Sequence, residues 1–285
     1  MTTSKLYING NLTDHAVVSV DERGFRFGDG IFETIPVFGS APYLWDYHME
    51  RLEAGLAALH IQSPLDNLIK QSVHLIKTNT IIDGAVRIYI SRGIGSQGYL
   101  PSSATFAPTI IIQTMERAPA PLEAIGLWLS TYEKISPRAL PTHCKTAQGL
   151  NSTLARMEAV RNNCYDALQL DPFERIAETS SSNIFWLAKE VLHTPSLECG
   201  SLAGVTRKRI MELSPYPVNE GAYSLEDLRT AEEVVITNAS AGIIAVKSLQ
   251  PAGFIWKGDA LAKQLINLRN QDIGEHTLRL RELLA

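Results

Sequence analysis

Hydrophobic and polar positions in this sequence alternate in two rhythms. Val86, Ile88 and Ile90 are interleaved with Arg87, Tyr89 and Ser91, the period-two pattern of a half-buried strand, and Thr109 to Met115 reads as a second strand. Leu6 to Ile8 and Leu12 flank Asn9-Gly10, a hairpin signal because both turn positions need positive φ. Leu52, Leu56 and Leu59 recur at helical spacing after Trp45. Ser63-Pro64 reads as a cap and first-turn proline for a helix through Leu68, Ile69, Val73 and Ile76. This part of the sequence is expected to form a hairpin-rich sheet with two helices packed on it.

Two prolines in Glu116-Arg-Ala-Pro-Ala-Pro121 favour an extended connection, so a domain boundary is expected there, with residues 1–120 as a smaller domain and 121–285 as a larger one. Beyond it the pattern predicts a strand at Leu127 to Thr131, a helix through Leu150, Leu154 and Met157, and strands at Ala167 to Leu170 and Ile184 to Leu187. A helix after Gly204, a strand at Val234 to Ile236 and a last helix carrying Leu261, Leu265 and Leu268 follow. No internal repeat is visible. The fold class expected is α+β, in two domains, each a mixed or antiparallel sheet with packed helices.

Length and composition narrow the chemistry. At 285 residues and 31.4 kDa, with 45% hydrophobic and 20% charged residues, the chain can bury a large core and is not a disordered or fibrous sequence. A net charge of −4 argues against a nucleic-acid groove or a polybasic membrane patch, which leaves a small-molecule substrate as the expected partner. Cys144, Cys164 and Cys199 match neither a disulfide framework nor a metal knuckle, and the first residues carry no apolar export segment. A cytoplasmic protein without a metal is expected. Gly93-Ile-Gly95-Ser-Gln-Gly98 matches half of a dinucleotide fingerprint, but Tyr99-Leu-Pro101 cannot open the helix that the motif requires. Gly28-Asp29-Gly30 reads either as a tight turn or, with Arg23 and Arg26, as part of an ion-pair cluster.

Six segments in fixed order carry more. They are Asp21-Glu-Arg23-Gly-Phe-Arg-Phe-Gly28-Asp29-Gly30-Ile-Phe-Glu33-Thr34; His48-Met-Glu-Arg51-Leu52; Lys145 ahead of Leu150-Asn151-Ser152; Glu178-Thr-Ser-Ser-Ser-Asn183-Ile-Phe185; Thr194-Pro195 through Gly204-Val205-Thr206-Arg207; and Thr237-Asn238-Ala239-Ser240-Ala241-Gly242. Together they resemble the class IV pyridoxal-phosphate enzymes, which include branched-chain and D-amino-acid aminotransferases and aminodeoxychorismate lyase.

The resemblance implies the two-domain fold of that family, pyridoxal 5′-phosphate as cofactor and a homodimer with a loop of the partner over the active site. It makes Lys145, expected in the larger C-terminal domain, the amine that forms the internal aldimine and the acid and base at the substrate Cα. Glu178 becomes the carboxylate facing the pyridine nitrogen, where an anion favours the protonated ring. Arg51 becomes the phosphate arginine, and Val205 and Thr206, at a helix start, become phosphate donors. Ser181, Asn183, Asn238, Ala239 and Ser240 complete the cofactor set. Read alone, Lys145 is a surface lysine, Glu178 a solvated strand-end glutamate and Arg51 an exposed helix arginine.

Substrate recognition divides the family. The tyrosine, arginine and histidine by which D-amino-acid transaminases trap a carboxylate correspond here to Phe32, Gln97 and Tyr99, and the F-E-G-I-R-A-Y stretch of the branched-chain enzymes is replaced by Phe32-Glu-Thr-Ile-Pro36-Val-Phe38. The lyases resemble this sequence better in Phe-Gly-Asp-Gly-x-Phe-x-Thr ending at Thr34, which counts Thr34 with the catalytic residues, and in Ile90 through Tyr99. With Gln97 neutral, Arg26 or Arg92 is expected to meet a substrate carboxylate. The leading expectation is a 4-amino-4-deoxychorismate lyase. The alternative is an aminotransferase acting on branched-chain or D-amino acids, and a silent class IV scaffold is a third.

Overall fold

The computed structural model describes residues 4–62, 65–95, 98–101, 107–117 and 120–284, the last eight by backbone alone. The protein divides into two compact units. The first comprises Met1–Arg117, Cys144–Gln148 and Ile273–Ala285, and the second Ala118–His143 and Gly149–Asp272. The main division lies at Arg117/Ala118, and both units are discontinuous in sequence. The short stretch holding Lys145 falls in the first unit, because its backbone pairs with a strand there.

In the first unit the elements are β1 (Leu6–Ile8), β2 (Asn11–Thr13), α1 (Arg23–Phe27), β3 (Gly30–Phe38), β4 (Ala41–Pro42), α2 (Trp45–Ala58), α3 (Leu68–Thr78), β5 (Gly84–Ser91) and β6 (Thr109–Glu116). The strands form one antiparallel sheet in the order β2-β1-β6-β5-β3-β4. Asn9 and Gly10 take φ of 48° and 81°, as the β1-β2 hairpin needs. Ile31, Ile35 and Val37 of β3 and Val86, Ile88 and Ile90 of β5 share one face and bury it against Leu52, Leu56, Leu68, Leu75 and Ile76. Gly55 allows the close approach of α2, since a Cβ there would lie 3.1 Å from Ile31 Cδ1. The opposite face presents Phe32, Thr34, Arg87 and Tyr89, in the cross-strand pairs Phe32 with Tyr89 and Thr34 with Arg87. Helix α3 starts at Leu68, after a turn closed by Leu68 N–H on the Leu65 carbonyl, and not at the expected Ser63-Pro64 cap, which lies outside the described residues.

The second unit holds β7 (Ile125–Leu129), α4 (Leu150–Arg161), β8 (Asp166–Leu170), β9 (Ile176–Thr179), β10 (Asn183–Ala188), β11 (Val191–Pro195), α5 (Val205–Leu213), β12 (Val218–Gly221), α6 (Leu225–Arg229), β13 (Glu233–Asn238), β14 (Gly242–Gln250), β15 (Phe254–Ile255) and most of α7 (Ala260–Leu284). Its mixed sheet runs β12-β11-β10-β13-β14-β7-β8-β9, with β15 on β14. The central strands are buried on both faces. Ile184, Trp186, Val234 and Ile236 face one core, while Phe185 and Val235 meet Ile210 of α5 and Leu261 and Leu265 of α7 in another. Helix α4 forms where expected but buries a different stripe. Ala155 and Ala159 are fully enclosed against Ala167 of β8, whereas Leu150 and Met157 are exposed. Small side chains let the helix lie close on the sheet, and the leucine stripe turns outward.

No helix among the described residues is long and apolar enough to cross a membrane.

Candidate active site

Lys145 is placed by β3. Phe32 N–H donates to the Lys145 carbonyl at 3.0 Å, Ala147 N–H to the Gly30 carbonyl at 2.9 Å, and Ile31 and Thr146 form an antiparallel bridge. This short pairing brings Lys145 Nζ to 4.5 Å from the centre of the Phe32 ring. Phe32 stacks on Tyr89 with centroids 6.2 Å apart, and the Arg87 guanidinium lies 5.7 Å from the Phe32 centroid, its Nε 3.4 Å from Thr34 Oγ1. One sheet face thus collects an apolar ring, a buried hydroxyl and two cations. Arg87 was not among the expected site residues. The alternation Val86-Arg87-Ile88-Tyr89-Ile90 already places it opposite the core face, alongside Phe32 and Thr34 once β3 and β5 pair.

Arg51 projects from α2 beneath the same sheet. Its Nε and Nη2 donate to Glu33 Oε1 and Oε2 at 2.7 and 2.6 Å, and His48 Nδ1 lies 2.7 Å from Glu33 Oε2. Burial alone would raise the Glu33 carboxyl, but the Arg51 charge, the charge that His48 carries at the acid pH where Glu33 titrates, and the hydrogen bonds from both reverse this and hold it down at about 2. Burial pushes the His48 imidazole below its ordinary value, so His48 is neutral at neutral pH and its Nδ1–H donates to the ionised Glu33.

The arginines expected to meet a substrate carboxylate are bonded to carboxylates of the protein itself. Arg92 gives Nε and Nη2 to the Asp29 carboxylate at 2.8 and 3.0 Å, and further donors to the Leu59 and His60 carbonyls at 2.7 and 3.1 Å. Arg23 reaches Asp29 at 2.8 Å and the Gly98 and Tyr99 carbonyls, also at 2.8 Å. Asp29 is therefore the centre of an ion-pair cluster that ties down the segment after β5, as one reading of the glycine turn anticipated. Arg26 stands outside it, 3.5 Å from Asp21 on a partly exposed surface. Tyr99 is 87% exposed, its ring 5.4 Å from that of Phe27, and Gln97 lies outside the described residues.

In the second unit, Glu178 near the end of β9 is buried and shared by three donors. Lys134 Nζ sits 2.6 Å from Oε1, while Asn183 Nδ2 and Leu202 N–H donate to Oε2 at 2.9 and 3.1 Å. Asn183 Nδ2 also donates to the Leu202 carbonyl at 2.9 Å, which joins Glu178 to the turn that opens α5. Helix α5 begins with Gly204 as N-cap and has no side-chain cap, so its first N–H groups, with the buried Thr206 hydroxyl among them, stand at the positive end of the helix dipole.

The turn after Glu178 hangs on Asp166, which is fully buried. Thr179 and Ser181 donate to its Oδ2 at 2.8 and 3.0 Å, Ser180 donates to Oδ1, and Arg156 pairs with it at 3.3 Å. The Ser181 hydroxyl is therefore engaged with the protein's own carboxylate. Asn238 donates to Ser182 Oγ at 2.9 Å and accepts from Ala241 N–H at 2.7 Å, closing the turn that carries half-buried Ala239 and exposed Ser240. The Thr237 hydroxyl beside it is buried without a hydrogen-bond partner. Neither Lys134 nor Asp166 was anticipated, because each is an isolated charged residue joined to the site only by folding.

Comparison with known proteins matches this arrangement to one family. The family described as amino-transferase class IV fits residues 30–249. An aminodeoxychorismate lyase of Bacillus subtilis is 31% identical over 87% of this chain and 88% of its own length. A D-alanine aminotransferase of Staphylococcus aureus is also 31% identical, over 86% of this chain and 89% of its own. Among solved structures, the 4-amino-4-deoxychorismate lyase of Pseudomonas aeruginosa superposes with a TM-score of 0.83 at 29% identity, covering 94% of this chain and 99% of that one. The chain is an enzyme of the class IV aminotransferase family, whose members depend on pyridoxal phosphate.

Proposed function

We propose that the protein binds pyridoxal 5′-phosphate and acts as a 4-amino-4-deoxychorismate lyase, releasing pyruvate and forming 4-aminobenzoate. The observation that carries this reading is the Lys145 face of β3, where Phe32 stands at the position of a carboxylate-trapping tyrosine and Thr34 ends the lyase-like stretch. The donor sets fit the cofactor. An uncapped helix N-terminus with Thr206, an arginine at Arg51 and a buried carboxylate at Glu178 match a phosphate and a basic ring nitrogen, and the orphaned Thr237 hydroxyl leaves a donor for a polar ligand. Assigning the residues of both units to one cofactor rests on the family and on the chemistry each set carries.

Lys145 would hold the cofactor covalently, with Arg51, Val205 and Thr206 on its phosphate, Glu178 on its ring nitrogen, and Asn183 and the Asn238-Ala239-Ser240 turn supporting them. When bound, the cofactor supplies an electron sink for the pair left as a proton leaves the substrate. The Lys145 amine takes that proton from the carbon bearing the amino group and returns protons later in the cycle. Loss of the neighbouring enolpyruvyl ether as pyruvate then leaves an aromatic ring, with no oxidant required. Glu178 keeps negative charge beside the ring nitrogen, and the Phe32–Tyr89 stack keeps water from the Lys145 side. For the substrate carboxylate the reading passes from Arg26 and Arg92 to Arg87, the arginine on the Lys145 face of the sheet.

A second reading, transfer of an amino group between an amino acid and a 2-keto acid, is favoured by the D-alanine aminotransferase relative and by Arg87 as a single cation suited to one carboxylate. Pyruvate release from aminodeoxychorismate with no keto acid added supports the lyase, and turnover only with a keto-acid acceptor refutes it. Lys145→Ala should lose both turnover and the yellow band at roughly 400 to 430 nm expected of the bound cofactor. Normal activity in that variant would remove the Lys145 assignment. We also read the protein as a cytoplasmic homodimer, a reading supported by three free thiols and by exposed Tyr99 and Leu100 on the segment after β5.

A further inference from the structure

Glu33 is a buried charge to which the reaction outlined above gives no role. It occupies a core-facing position of β3 between Ile31 and Ile35 and is 1% exposed. A carboxylate there is costly unless it is paired and its oxygens are filled. Both oxygens meet the Arg51 guanidinium in two parallel bonds, and neutral His48 adds a third donor without a second positive charge. The cluster therefore balances one anion against one cation and fixes the plane of a side chain that is otherwise rich in rotamers.

We propose that Glu33, backed by His48, is a positioning residue that orients the Arg51 guanidinium for the phosphate arm of the cofactor. The inference rests on the reading of Arg51 as a phosphate ligand. Two effects oppose each other. The Glu33 charge weakens the attraction of Arg51 for an anion, while its fork spares the cost of ordering Arg51 each time phosphate binds. Glutamine at this position would offer one acceptor in place of two and turn an amide N–H toward the donors of Arg51 or His48. The guanidinium would then be displaced, and positioning outweighs the gain in charge.

The test compares pyridoxal 5′-phosphate with unphosphorylated pyridoxal, each titrated into the full-length protein stripped of cofactor and followed by quenching of tryptophan fluorescence. Glu33→Gln is expected to lower the preference for the phosphorylated form by roughly three- to tenfold, the range expected for reordering one long side chain, and to leave pyridoxal affinity unchanged. Glu33→Asp, which keeps the charge but shortens the reach, is expected to fall between wild type and Glu33→Gln, and it carries the test if Glu33→Gln does not fold. An equal loss for both ligands would mean a general structural role and overturn the proposal, as would tighter binding of the phosphorylated form. Arg51→Ala separates the two layers. If it abolishes the preference while both Glu33 variants keep it, the positioning role fails and the Arg51 reading stands. If Arg51→Ala itself keeps the preference, the Arg51 reading fails.

Discussion

The Glu33 cluster makes a quantitative prediction about acid stability. A carboxyl held at about 2 in the folded protein, against an ordinary 4.5, favours the native state by about 3 kcal/mol wherever it is ionised in both states. The folded value is the depressed one, so this contribution is complete above about pH 4.5 and is lost as the pH falls toward 2. Glu33→Gln cannot titrate and serves as the reference. Urea unfolding of the wild type and of Glu33→Gln, measured at intervals from pH 7 to pH 3, should show a constant stability gap down to about pH 5. About 2 kcal/mol of that gap should then close by pH 3. The wild-type-minus-variant difference removes the other depressed carboxyls, such as Asp29 between Arg92 and Arg23, which titrate in both proteins. A gap independent of pH across this range would refute the reasoning, because it would mean that Glu33 binds its proton equally well in the folded and unfolded states.

In the first unit β1, β2, β5, β6, α2 and α3 were legible, whereas α1, β4 and β3, a strand buried along nearly its whole length, were not. The alternation of β5 and the leucine spacing of α2 follow directly from which face meets the core. Helix α4 was legible in position but not in orientation. The rule that leucines face inward fails where Ala155 and Ala159 allow a closer approach to Ala167. Strands β9, β11, β12, β14 and β15 went unread, since a strand within a large mixed sheet is stabilised by neighbours distant in sequence. In the site, the motif order pointed to Lys145, Glu178, Arg51 and Thr206, yet motifs do not show what holds a residue in place. Glu33 lies 18 positions from Arg51, and Lys134 lies 44 from Glu178, so neither pairing has a local signal. The partners of Arg92 lack a local signal too: its donors are engaged with Asp29, 63 positions away, and with the Leu59 and His60 carbonyls.

Two further outcomes are expected. Sedimentation at micromolar concentration should give about twice 31.4 kDa, with Tyr99→Ala changing substrate affinity more than stability, and a fully active monomer would remove the homodimer reading. The other concerns Gly204, the N-cap of α5. Its φ of −65° is open to any residue, so the constraint is purely one of space. A Cβ at this position would lie 2.0 Å from Asn183 Oδ1 and 3.2 Å from Arg207 Cβ. In Gly204→Ala the Asn183 side chain must move, and with it go the bonds from Nδ2 to Glu178 Oε2 and to the Leu202 carbonyl. Overpacking of this kind costs about 1 to 3 kcal/mol, a fall of roughly 2 to 10 °C in Tm for a protein of this length. Because Asn183 joins Glu178, the carboxylate proposed to face the cofactor ring, to the turn that opens α5, cofactor affinity should weaken as well. A double-mutant cycle separates the steric cause from any other. In an Asn183→Ala background the clash has no partner, so adding Gly204→Ala should cost little more than Asn183→Ala alone. If the two costs are simply additive, the contact between Gly204 and Asn183 is not what keeps this position glycine.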